Sequence, residues 1–205
     1  MIGVDFSDAD YRLRSQKTGR EIVLDAEFES IVVAAQSGAE WAWSRLYHSV
    51  ARQVLGYLRG QGAKEPEDLL GEVFLQVAKG IGGFSGTEAG FRSWVFTIAH
   101  HRIIDERRRR RRHPVDPVET VADQVAATPS SADQALDTLA TERVRDLVDR
   151  LAPAQRDVMM LRIVGGMTVA ETAQVLGRSL GGVKALQRRA IASLRRLIEA
   201  EGVSL

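Results

Sequence analysis

From Phe28 onward, apolar positions recur every three or four residues, the spacing of one helix face. Trp41, Leu46, Val50, Val54, Leu55 and Leu58 make up one such stripe, which ends at Gly60. Pro66 suits the first turn of a second helix, where a missing N–H costs nothing, and Glu65, Glu67 and Asp68 lie at that helix's positive end. The stripe expected to be buried there is Leu69, Leu70, Val73, Phe74 and Val77. Gly80, Gly82, Gly83, Gly86 and Gly90 predict an irregular loop. A helix follows from about Phe91 into the arginines Arg107 to Arg112, with Phe91, Val95, Ile98 and Ile103 on its core side. No stretch alternates with period two for long enough to predict a strand.

The pattern then lapses. Residues 113–138 contain Pro114, Pro117 and Pro129 among Ser, Thr and Ala, and read as a linker. Helical spacing resumes near Ala140 and stops near Leu151; Pro153 starts the next helix, and Gly165-Gly166 stops it. The expectation is an all-α protein. An N-terminal tail, 1–27, precedes two small helical domains, 28–112 and 139–205, joined by a flexible acidic linker, 113–138.

The second domain carries the sharper local signals. Thr168 and Glu171 have the spacing of a capping box, in which each side chain bonds the other's backbone N–H. They start a short helix, Val169 to Leu176; Gly177 permits a tight turn, and Ser179 caps a longer helix reaching about Ile198. In that helix Val183, Leu186, Ala190, Leu194 and Leu197 share one face, whereas Lys184, Gln187, Arg188 and Arg195 fall mostly on others. A short helix, a glycine turn and a longer basic helix are the parts of a helix-turn-helix, whose second helix enters the DNA major groove.

Charge sharpens this picture. The net charge of +1 averages over strong segregation. Residues 100–112 hold seven arginines against Asp105 and Glu106; residues 113–138 hold five acids and no Lys or Arg; residues 178–198 hold six basic residues and no acid. Local charge of this kind selects partners, and two basic helices flanking an acidic linker point to nucleic acid held at two places. Six consecutive arginines repel one another, so a polyanion explains them better than a solvated helix end. Trp94 and His101, seven apart, lie on one stripe beside that run, where aromatics can stack unpaired bases; burial of Trp94 in the core is the equal alternative. Adjacent helix residues such as His100 and His101 point about 100° apart and chelate poorly. No metal or cofactor is expected. The chain lacks cysteine, and no apolar run approaches the roughly 20 residues that span a bilayer; a cytoplasmic protein without membrane insertion is the expectation.

Three segments carry a resemblance. They are Glu67-Asp-Leu-Leu-Gly-Glu-Val-Phe-Leu-Gln-Val, then Phe91-Arg-Ser-Trp-Val-Phe-Thr-Ile-Ala-His-His-Arg-Ile-Ile-Asp, and last Leu151-Ala-Pro-Ala-Gln-Arg-Asp-Val with Met167 to Ser179 and Gly182-Val-Lys. In this order the chain resembles the extracytoplasmic-function (ECF) sigma factors, bacterial subunits that direct RNA polymerase to promoters. The resemblance implies a domain 2 that binds core polymerase and melts the −10 element, and a domain 4 that reads the −35 element. It implies core-polymerase contacts to the largest subunits from Asp68, Glu72, Leu75 and Gln76. It implies −10 contacts from Trp94, His101, Arg102, Arg107 and Arg108. It implies −35 contacts from Arg178, Ser179, Lys184, Gln187, Arg188 and Arg189. The glycine-rich loop corresponds to the family's pocket for a flipped base, and melting by capture of that base needs no ATP. Further implied partners are promoter DNA and an anti-sigma factor. The chain departs from the family pattern at Gly71, where Gln is common, at His101, where Asn is common, and at Leu186, where Arg is common.

The alternative is a self-sufficient helix-turn-helix regulator binding duplex operator DNA on its own. An enzyme is the third class. The sequence has no Ser/His/Asp set, no phosphate-binding glycine loop before a lysine and no paired metal ligands, so catalysis is not expected.

Overall fold

The computed structural model describes residues 19–112 and 146–200; the expected linker, 113–138, and residues 1–18 of the expected tail, 1–27, lie outside the described residues, whereas residues 19–27 of that tail are helical. Every regular element among the described residues is helical. The order is α1 Gly19–Gln36, α2 Glu40–Gly60, α3 Pro66–Gly80, a 3-10 turn Ile81–Gly83, α4 Glu88–Arg112, α5 Pro153–Ile163, α6 Val169–Val175 and α7 Leu180–Ala200. A single helical turn at 146–149 precedes α5.

Helices α2, α3 and α4 pack on one another, and α1 lies on α2. The stripe on α2 buries Leu46, Val50, Val54 and Leu58 as its spacing requires, but Trp41 is 57% exposed. The reason is register: α2 begins at Glu40, so Trp41 stands in the first turn, and Ala42 takes the inward position. On α3, Leu69, Leu70, Val73 and Val77 are buried, while Phe74 is half-buried with its ring centroid 4.6 Å from that of Tyr47. Helix α4 starts at Glu88, ahead of the expected Phe91, so Gly90 is helical; Gly80 likewise belongs to the last turn of α3. Gly80 is needed for packing, because a Cβ there would lie 2.8 Å from Cζ2 of Trp94. Phe91, Val95, Phe96, Ala99 and Ile103 on α4 are all fully buried.

The second lobe is built from its caps. The Thr168 side chain accepts from the Glu171 N–H at 3.2 Å, and the Thr168 N–H donates to Oε2 of Glu171 at 2.6 Å. Gly177, at φ +59°, turns the chain from α6 toward α7, and the Gly182 N–H donates to Oγ of Ser179 at 3.1 Å. Val183 and Ala190 are buried, and Leu186, Leu194 and Leu197 are half-buried. Leu186 packs with Val158, Ala173 and Val183, so it supports the fold where the family often carries a cation.

The two lobes also touch. Helix α4 packs against α6, and α2 against α5. Met160, Leu161, Met167 and Val175 join the same buried cluster as Tyr57 and Phe96.

Removing the reciprocal cap tests this local account. Thr168→Ala is expected to lower stability by about 1 kcal/mol, read as a lower urea midpoint for the second lobe; an unchanged midpoint contradicts it.

Candidate nucleic-acid interface and docking face

The arginine run does not present six equivalent cations. Nη2 of Arg107 donates to the backbone oxygen of Gln61 at 2.8 Å and to its Oε1 at 2.6 Å, and Nη1 lies 3.8 Å from Oδ1 of Asp157. Nη2 of Arg110 reaches the Gly62 oxygen at 3.3 Å. These carbonyls follow the C-terminal, negative end of α2, a natural seat for guanidinium groups. Glu106 completes the seam by accepting the Lys64 N–H at 3.1 Å. Arg108 lies 3.7 Å from Asp105 on the exposed side, and Arg109, Arg111 and Arg112 are exposed. The run is thus divided between a structural seam and an outer cationic edge.

Further up α4, Trp94 is half-buried and stacks on Phe84 with ring centroids 5.2 Å apart and planes 15° from parallel. It borders the glycine-rich turn but is already engaged by protein. His101 is exposed. Arg102 turns toward α3: Nη2 donates to Oε1 of Gln76 at 3.2 Å, and Nη1 lies 3.8 Å from Oε2 of Glu72. On α3, Asp68, Leu75 and Gln76 are exposed and Glu72 is half-exposed, at spacings that place all four on one helix face. Leu75 is 64% exposed, an apolar side chain among acids and amides.

In the second lobe Arg178, Ser179, Lys184, Arg188 and Arg189 are exposed and Gln187 is half-buried. They occupy the turn and the N-terminal half of α7, the portion of a recognition helix that meets base edges. The four cations of that set, Arg178, Lys184, Arg188 and Arg189, are thus accessible at the surface of the second lobe.

The Sigma-70 region 2 family matches residues 42–113, and the Sigma-70 region 4 family matches residues 141–194. The chain is 36% identical to the ECF RNA polymerase sigma factor BldN of Streptomyces coelicolor, over 84% of this chain and 66% of BldN. It is 32% identical to the ECF RNA polymerase sigma factor ShbA of Streptomyces griseus, over 72% of this chain and 79% of ShbA. The protein belongs to the ECF sigma factor family. A solved structure of CnrH in complex with the cytosolic domain of CnrY shares the fold, with a TM-score of 0.63 and 24% identity over 84% of this chain and 97% of CnrH. The stand-alone regulator is not favoured by these matches. No helix among the described residues is long and apolar enough to cross a membrane.

Within the sigma factor, sequence reasoning missed two features. One is a buried polar cluster. Oη of Tyr57 and Nδ1 of His100 share a hydrogen bond at 2.8 Å, and Gln61 and Arg107 lie beside them. Burial, then the charge of Asp157, hold the Tyr57 phenol protonated well above its ordinary range. Burial lowers the His100 pKa; the Asp157 carboxylate opposes this, while His101, Arg107 and Arg178 reinforce it. The other is an apolar groove of about 240 Å³ in the second lobe, lined by Val148, Met159, Ile163, Leu194 and Ile198 among others. Neither carries a motif, because each is assembled from residues far apart in the chain.

The buried imidazole sets a pH dependence. Its folded pKa lies below the ordinary 6.5, so the fold prefers the neutral ring. That stability is fully present above the unfolded value and is lost as pH falls through the folded one. Between about pH 7.5 and 5.5, His100→Gln should lose less thermal stability than the wild type. Equal losses contradict the assignment.

Proposed function

We propose that this ECF sigma factor docks on the largest subunits of core RNA polymerase through Asp68, Glu72, Leu75 and Gln76. It engages the −10 element with α4 and the −35 element with α7. The observation that carries the docking assignment is the exposed Leu75 within an acidic, amide-bearing face, since such a patch on a small lobe suits a protein partner. Trp94, His101, Arg102 and Arg108 border the opened −10 strand. The outer arginines, Arg109, Arg111 and Arg112, add backbone contacts. Arg107 contributes there only when released from Gln61. Arg178, Ser179, Lys184, Gln187, Arg188 and Arg189 face the −35 duplex.

The lobe boundaries at 28–112 and 139–205, with 113–138 as the connecting linker, belong to the same reading. The protein performs no covalent chemistry, works in the cytoplasm, and is held by an anti-sigma protein until needed. The sigma factor RpoE of Bartonella quintana in complex with the anti-sigma factor NepR illustrates a sigma factor with such a partner.

Run-off transcription with core polymerase and a promoter library tests the proposal; promoter-dependent product is expected with the chain and none without it. Glu72→Lys should weaken core binding roughly tenfold, about 1.4 kcal/mol, while leaving helicity intact, and normal affinity would remove α3 as the docking face. Replacing Lys184 or Arg188 with Ala should cost about 1–3 kcal/mol in −35 binding by the holoenzyme if that residue reads a base. A change confined to the salt dependence would make it a phosphate contact instead.

A further inference from the structure

The turn that follows α3 is held from outside by a side chain of α1. Nε2 of Gln36, the last residue of α1, donates to the backbone oxygen of Ile81 at 2.8 Å and to that of Phe84 at 2.9 Å. A primary amide carries two N–H groups, so one side chain bridges both ends of the 3-10 turn Ile81–Gly83. Within the turn, the Phe84 N–H donates to the Ile81 oxygen at 3.0 Å. Ile81 is buried in the first-lobe core, so this brace has a fixed anchor at one end. Its other end is Phe84.

The Phe84 ring is half-buried; it stacks on Trp94 and meets Phe91 edge-on with ring centroids 5.6 Å apart. Phe91 in turn lies 5.8 Å from Phe28 of α1. Helix α1 therefore supports the aromatic group twice, once through a ring and once through an amide. Next to Phe84, Gly82 and Gly83 are exposed, and a Cβ at either would meet nothing within 4 Å. Flat aromatic rings beside bare, open backbone suit a nucleobase, whose face can stack and whose edge can approach main-chain groups.

Gln36 itself is exposed, so water can serve both carbonyls in its place and the fold loses little without it. Water cannot fix the spacing between Ile81 and Phe84. The amide thus acts on geometry more than on stability. It also lies ahead of residues 42–113, the span matched by the Sigma-70 region 2 family.

We propose that Gln36 is a positioning residue for promoter opening. By bridging Ile81 and Phe84 it holds Phe84, with the open backbone of Gly82 and Gly83, as a seat for one unpaired base of the −10 strand. This rests on the sigma-factor reading given above. Capture of an unpaired base keeps the duplex open, so a loosened seat weakens strand capture and leaves polymerase docking and −35 binding intact.

Gln36→Met keeps the side-chain length and the helix preference and removes both donors. In the full-length protein, amide hydrogen exchange over residues 82–86 should become about fivefold faster, with the thermal midpoint and exchange elsewhere in the first lobe unchanged. With core polymerase, a single-stranded −10 oligonucleotide from a promoter that the chain activates in cells should bind the variant roughly five- to tenfold more weakly, at equal polymerase affinity. Abasic sites are then moved along that oligonucleotide. At one position the abasic strand should bind wild type and variant equally, because the base that the seat holds is gone; a loss of general structure would persist at every position. Unchanged exchange over 82–86 would overturn the brace. Equal binding of the intact strand, or a difference that survives every abasic site, would overturn the seat. A wild-type chain that retains no −10 strand with core polymerase would overturn the sigma-factor reading and the seat with it, while the exchange rates still decide the brace.

Discussion

Helix α4 carries both a fully buried apolar face and a run of six arginines, and the rest of the molecule is arranged around that constraint. Between Phe91 and Ile103 it buries Phe91, Val95, Phe96, Ala99 and Ile103 completely, on more than one side of the helix. Loss of one such side chain from a close-packed core typically costs about 2–5 kcal/mol, so the helix cannot shift to suit a ligand. Its outer positions and its arginine end are then fixed in space by the core beneath them. A reading surface needs this: side chains that meet nucleic acid are most selective when borne on an element that packing has already immobilised.

The charge of α4 follows from the same constraint. Arg107 and Arg110 tie the end of the helix to the carbonyls after α2, and Glu106 binds the Lys64 N–H, so part of the cationic run secures the fold. Arg108, Arg109, Arg111 and Arg112 lie outside that seam and keep the electrostatic footprint. Arg102 reaches the opposite way, to Glu72 and Gln76 on α3. A polymerase subunit that engaged those two residues would therefore also reposition a cation on α4.

Local signals in the sequence translated directly into structure. The capping box at Thr168, the turn at Gly177, the cap at Ser179 and the stripes on α2 and α3 depend on neighbours within a few residues, and spacing reports them. Trp41 departed because one residue of helix register, set by where α2 starts, decides whether a first-turn side chain faces in or out. Leu75 is exposed because Leu69, Leu70, Val73 and Val77 already fill the core side of α3. Arg107 could not be separated from its neighbours by sequence: it differs only in facing Gln61, a relation fixed by how α4 crosses the end of α2. Spacing pairs His100 only with His101, a poor chelating pair, whereas its hydrogen-bond partner, Tyr57, lies on another helix. The lobe–lobe seam was invisible for the same reason, since Gln61 and Asp157 are 96 residues apart and neither belongs to a motif.

The central claim is that this chain opens a promoter only as part of polymerase. Permanganate reactivity of unpaired thymines in the −10 element tests it most directly, on a promoter that the chain activates in cells. Reactive thymines are predicted when the chain and core polymerase are present together, and none with either alone. Thymines made reactive by the chain alone, or a −10 element left unreactive by both together, would contradict the account.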